Sequence, residues 1–287
     1  MFFKIYKTTF KNIYRSPIFW MLLALFAFVA WQVVVEPRYG VYGGESGKMI
    51  WDTDPSFVLE YNRYIQTVSN TMSSDVLYYV MPLFTAISTV LVLNRDHGDN
   101  FFEIEKSAGV KPIQYVFARL WAIFTLNLIV VTIISYFYLH LYVFTRGGVD
   151  QMGLWDYITD STVRMLRMII FRAIPTIVFY IGFTYCIGSV FRSGIAAAIG
   201  SISYVAFYAV GYLMLRLRVG EFYWDYLSPS PTKLKMYFHT YDGPGFVNIK
   251  AIFQGYAKDV VLCISLLVGL GVIYSTIAYL CTRKRNR

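Results

Sequence analysis

Gly43 to Met49 reads GGESGKM, a glycine and lysine run of the kind that cradles phosphate. A working phosphate loop, G-x-x-x-x-G-K-[ST], needs glycine where this chain has Tyr42 and a hydroxyl where it has Met49. The run therefore lacks both the tight turn and the magnesium-binding oxygen. No other stretch offers a nucleotide site. The histidines, His97, His140 and His239, are scattered without metal-ligand spacing, and neither H-E-x-x-H nor G-x-S-x-G occurs. The cysteines, Cys186, Cys263 and Cys281, form no CxxC pair and lie in or beside apolar runs, where they read as small packing residues. The sequence thus presents no catalytic set, no metal site and no resident cofactor. It reads as a chain that carries out no bond chemistry itself.

The remaining concentration of charge is "LNRDHGDNFFEIEKSAGVKP", Leu93 to Pro112, set between two long apolar stretches. Gly109 and Pro112 should close a short helix, and Gly98 can loosen the exit from the preceding span. Residues 99–108 then make about two to three turns. Asp99, Glu103 and Lys106 share one face; Phe101, Ile104 and Ala108 share the opposite one. Two readings are open: a solvated loop with ordinary i,i+4 pairs, or a helix built to dock both faces into a soluble partner.

The elements that position this connector follow from composition. Hydrophobic residues make up 57% of the 287, charged residues only 15%, against about a quarter in soluble domains. Mean hydropathy is +0.49. This is an all-α integral membrane protein. The net charge of +9 would suggest nucleic acid in a soluble chain. Here the basic residues cluster at the ends of apolar runs, as the positive-inside rule requires, so no nucleic acid is expected. Crossing a bilayer takes about 20 apolar residues. Six stretches qualify, at about 17–35, 75–93, 113–144, 169–190, 194–215 and 259–281, within a single domain spanning 1–287.

Orientation follows from the same residues. Lys4, Lys7, Lys11 and Arg15 precede the first span, and Arg283, Lys284, Arg285 and Arg287 follow the last, with no acid among them. Both termini are expected in the cytoplasm of a multi-pass plasma-membrane protein, with the connector 95–112 and the tight turn at Arg192 on the same side. The outer segments are then 36–74, 145–168 and 216–258. The first 16 residues place their four basic side chains within an arc of about 80° of a helix, with rings and isoleucines around much of the rest. An amphipathic helix lying on the inner leaflet is expected, either as a topology anchor or as a lever that also touches a cytoplasmic partner.

Other features keep two readings each. Span 5 opens with "GIAAAIGSIS", small residues that let helices approach closely, read as packing within one subunit. Pro82 and Pro175 can kink spans 2 and 4. Arg164 and Arg167 flank span 4, and Arg172 lies within it. Such residues pair, snorkel or line a cavity; the cavity reading is a substrate vestibule that attracts anions. The aromatic, proline-bearing outer segment reads as short helices in or near the outer leaflet.

The connector resembles the coupling-helix region of type-2 ATP-binding-cassette (ABC) export permeases. Asp96, Gly98, Pro112 and Arg119 stand in the family's order, although the family's usual glutamate is Asp96 and its usual threonine is Asp99. The likeness extends to the whole architecture: N-terminal amphipathic helix, six spans, a long third span, a tight turn between spans 4 and 5 and an outer segment before span 6. It implies a transmembrane permease subunit that pairs with a second copy or paralogue. A separate cytoplasmic ABC ATPase, carrying ATP and Mg, would drive it. Contact with that ATPase would fall on Asp96, Gly98, Asp99, Phe101, Phe102, Glu103, Glu105 and Lys106. Amphiphilic cargo is expected, peptide first, then lipid, glycan or drug. The alternative is a membrane sensor or immunity/binding protein without ATP-driven flux.

Overall fold

The structure, a computed structural model, describes residues 1–35, 75–98, 109–146, 158–159, 162–163, 165–166, 169–214, 222–228, 231 and 257–284. Among them it is helical throughout, with no strand. In chain order the helices are α1 (Phe2–Tyr14), α2 (Pro17–Val35), α3 (Asp75–Gly98), α4 (Pro112–Arg146), α5 (Ile174–Phe191), α6 (Gly194–Met214) and α7 (Ala257–Lys284). Two π-helical turns, Ile169–Ala173 and Tyr223–Leu227, precede α5 and α7 respectively.

Three segments are long and apolar enough to cross a membrane: Pro112–Ile134, Ile169–Phe191 and Lys258–Lys284. Pro17–Phe28 and Gly194–Phe207 are shorter apolar helices. Exposed Leu25, Phe28, Ile129, Ile133, Ile199 and Val272 cover the outside of the bundle, which lipid tolerates and water does not. The chain is a membrane protein.

Proline and glycine set several boundaries. Pro17 opens α2 and Pro112 opens α4, where a missing N–H costs nothing. Pro175 lies in the first turn of α5, where its ring would crowd the carbonyl four residues back in a regular helix. The chain is π-helical over Ile169–Ala173 just before it, which widens the helix there. Between α5 and α6 the turn is two residues long. Arg192 adopts a left-handed conformation (φ 54°) and the Ser193 amide donates to the Gly188 carbonyl, the Schellman closure. The Ser193 hydroxyl then accepts from the Ala196 amide, capping α6.

α3 and α5 occupy the centre. α3 touches α1, α2, α4, α5 and α6, and α5 touches α3, α4, α6 and α7. Between helices in lipid, close packing replaces the hydrophobic driving force, and α5 and α7 make the most extensive contact. Their backbones meet at Gly182 and Gly271. A Cβ on Gly182 would fall on the Gly271 carbonyl, and one on Gly271 would stand 2.7 Å from the Val178 carbonyl. The small residues of α6 serve the same end within this chain. Ala197 and Ser201 are fully buried, Ser201 sharing a 2.7 Å hydrogen bond with Thr184 of α5, and Gly194 leaves room for Asn94.

One end of the bundle is defined by a cluster that joins Leu93 of α3, Tyr115 of α4, Tyr185 of α5, Ala197 of α6 and Ala278 of α7 to Ile5 of α1. The other end gathers Phe179, Val205, Val260 and Cys263, with Tyr226 of the second π turn against them. The N-terminal helix and the end of α7 therefore lie together.

The glycine contact yields a contrast within one helix. Gly271→Val should destabilise the protein by about 1–3 kcal/mol through forced separation of α5 and α7. Gly269→Ala, whose methyl would meet nothing within 4 Å, should be neutral or stabilising by up to about 1 kcal/mol. Thermal unfolding in detergent, followed by intrinsic fluorescence, distinguishes them.

Candidate functional site

The site grows from the two helices that flank the charged connector. Apolar residues hold α3 together as far as Leu93, and the expected span ended there. The helix instead continues through Asn94, Arg95 and Asp96 to Gly98. The reason is a neutralising partner on α4. Arg119 Nη1 lies 2.5 Å from Asp96 Oδ1, with both side chains almost wholly removed from solvent. The guanidinium carbon also sits 4.3 Å from the centre of the Tyr115 ring, one turn earlier on α4. A carboxylate on one side and a π face on another thus surround a single buried cation.

Burying these charges separately would be costly, and the pair is stable only because each neutralises the other. What it adds most is register. Asp96 lies in the last turn of α3 and Arg119 two turns into α4, so the pair fixes both ends of the connector relative to one another. Val110, buried in the adjacent cluster, anchors the returning chain. Gly109 has φ +77°, the left-handed region, and a Cβ there would meet nothing within 4 Å. Glycine is needed for the backbone turn, not for space. The Lys111 carbonyl accepts the first α4 hydrogen bond, from Tyr115 at 3.1 Å.

α1 lies against the same region. Lys4, Lys7, Lys11 and Arg15 are exposed, as the helical arc predicts, while Ile5, Thr9 and Ile13 are buried at intervals of four. The apolar side was expected to sit in lipid. Part of it enters protein instead: Ile5 and Ile13 join the bundle's clusters, and Phe2 lies 6.0 Å from Phe117 of α4. Phe3 and Tyr14 remain outside. The apolar arc is wide enough to meet both α4 and lipid. Trp20 closes the corner into α2, its indole N–H donating to the Tyr14 carbonyl at 2.7 Å.

This end is strongly basic. Lys4, Lys7, Lys11, Arg15, Arg95, Lys111, Arg192, Arg283 and Lys284 are exposed, and the carboxylate here among the described residues, Asp96, is buried and paired. A second polar contact lies deeper. Asn127 of α4 donates to Ser88 of α3 at 2.9 Å and to its own Ile123 carbonyl at 2.8 Å.

Of the residues singled out in the sequence, Asp96 and Arg119 come together, and Gly98 closes α3. Asp99, Phe101, Phe102, Glu103, Glu105 and Lys106 lie outside the described residues, as do Arg164 and Arg167. Arg172 is 1% exposed, inside the first π turn, so its guanidinium does not face an open surface. Tyr115 and Asn127 were not anticipated. The four-residue spacing of Tyr115 and Arg119 was a readable signal; the Asn127–Ser88 contact joins separate helices and had none. Comparison with protein-family models and with curated proteins finds no match.

The ion pair predicts a thermodynamic cycle. Asp96→Ala or Arg119→Ala alone should destabilise by about 3–5 kcal/mol, since each leaves an uncompensated buried charge. Asp96→Leu combined with Arg119→Met should recover most of that loss. Chemical denaturation of the single and double variants in detergent measures the coupling.

Proposed function

We infer that this chain is the transmembrane permease subunit of an ATP-driven ABC exporter, crossing the membrane six times with both termini in the cytoplasm. The observation that carries the reading is the Asp96–Arg119 pair, which clamps the two helices bracketing residues 99–108. A force applied to that connector would pass into α3 and α4 as a unit instead of being lost in a loose hinge. The basic end of the bundle supports a cytoplasmic placement of this clamp. α1, seated on α4, lies beside it.

The mechanism follows as a transmission. A separate ATPase chain binds ATP with Mg and closes. Its surface pushes the short amphipathic helix read at 99–108, with Glu103 and Lys106 on one face and Phe101 on the other. α3 carries the movement toward Ser88 and α4 toward Asn127. A dimer of permease chains then changes the access of a central cavity or lateral opening to an amphiphilic cargo, of which a peptide is the first choice. The polypeptide described here binds no nucleotide in this scheme.

The test is co-purification of the full chain with ATPase subunits encoded in the same genome. A stable complex is expected, and Phe101→Lys or Glu103→Lys should reduce the captured ATPase at least about tenfold through a lost contact and a reversed charge. If every candidate ATPase fails to bind the wild-type chain, the exporter reading is overturned and a sensor or immunity protein takes its place.

A further inference from the structure

A groove of about 380 Å³ runs along the outside of the bundle between α4 and α7, floored by Val178 and Ile181 of α5. Its α4 wall is a ladder of rings: Phe117 and Trp121 stack at 6.3 Å, and Trp121 and Phe124 at 5.4 Å. Of the hydroxyl-bearing residues on the α7 wall, Tyr279 stands toward the Ile113 end, while Ser275 and Thr276 lie between and each donates to its own helix, to the Gly271 and Val272 carbonyls at 2.8 Å. The Ser275 and Thr276 donors are already satisfied, so the middle of the groove rewards an apolar occupant.

Length and charge narrow the choice. From Ile113 to Phe124 the α4 wall is about 17 Å long at 1.5 Å per residue, close to the roughly 15 Å depth of one leaflet's hydrocarbon. The Ile113 end is basic. Lys111 precedes Ile113, while Arg283 and Lys284 lie about one turn beyond Tyr279, and all three are exposed. Tyr279 packs against the cluster that contains Val116, so both sets of charges mark the same end. A helix from a second copy, about 10–12 Å across, would seat only a ridge of side chains here. A single acyl chain matches the narrow slot, and an anionic headgroup matches its rim.

We propose that this groove is a binding site for one anionic glycerophospholipid of the leaflet at the basic end. One acyl chain lies along Phe117, Trp121 and Phe124, and the phosphate sits among Lys111, Arg283 and Lys284. The site depends on the bundle's crossing a membrane and not on any ATPase partner. Basic residues at the cytoplasmic margin of spanning helices hold anionic headgroups in this way.

Native mass spectrometry of the detergent-solubilised full chain tests it, with phosphatidylglycerol and phosphatidylcholine of identical acyl chains added in turn. The wild type should retain phosphatidylglycerol at least about tenfold more tightly, and Lys111→Gln/Arg283→Gln/Lys284→Gln should erase that preference. Thr276→Trp, which fills the slot, should weaken both lipids. Should that variant express poorly, chain-brominated phosphatidylglycerol should quench wild-type tryptophan fluorescence at low mole fraction, with the effect diminished in Trp121→Phe. Equal retention of the two lipids by the wild type overturns the proposal. So does a Thr276→Trp variant that keeps its lipid and instead converts a dimer to a monomer.

Discussion

A guanidinium shut away from water must find a negative partner, and for Arg119 that partner is Asp96. Both residues lie where an apolar helix meets a charged connector, so their pairing decides where α3 stops and how α4 begins. Without Arg119, Asp96 would be driven toward the surface and the last turn of α3 would have no reason to persist. With it, the helix runs on to Gly98, the returning chain is anchored at Val110, and the Tyr115 ring has a cation to face. α1 then finds a firm surface for Ile5. The whole basic end of the bundle is organised around one neutral unit made from two charges.

The opposite constraint acts between α5 and α7. There, nothing charged is involved, and the contact depends on the absence of side chains at Gly182 and Gly271. Lipid offers no hydrophobic reward for bringing two apolar helices together, so contact must come from fit. Close approach at the glycines brings Phe179 into an aromatic cluster with Tyr274 and Tyr204 and lets the second π turn settle against α7. Tyr204 reaches that turn by donating to the Leu227 carbonyl at 2.7 Å. The basic end and the middle of the bundle are therefore held by different physics, electrostatic in the first and steric in the second.

Much of the helical layout was legible in the sequence because local chemistry sets it. Pro17 and Pro112 mark helix starts, Gly109 marks a turn, and the apolar runs give the positions of the long helices, of which three segments are long and apolar enough to cross a membrane. Reading failed where the deciding partner lay elsewhere in the chain. The expected end of α3 at Leu93 counted Asp96 as a charge in water, although Arg119 removes it from water. The exposed lysines of α1 were visible in their helical spacing; the burial of Ile5 and Ile13 was not, because spacing alone cannot distinguish lipid from α4. Gly182 and Gly271 look like ordinary glycines until the helices that carry them cross. For the site, the sequence singled out Asp96 and Arg119, which the structure pairs, and left out Tyr115, although its four-residue spacing from Arg119 places the two on one helix face.

The two-residue turn at Arg192 and Ser193 makes α5 and α6 a unit within the bundle. So short a connection keeps the end of α5 and the start of α6 side by side, so the two helices can only run back along one another. They form a paired hairpin that touches through Thr184 and Ser201. The left-handed Arg192 and the capping Ser193 close that hairpin with contacts made inside α5 and α6, so its corner owes nothing to α7. α7 packs on the face of that hairpin where α5 presents Gly182, so a side chain there would part α7 from a corner that is itself intact.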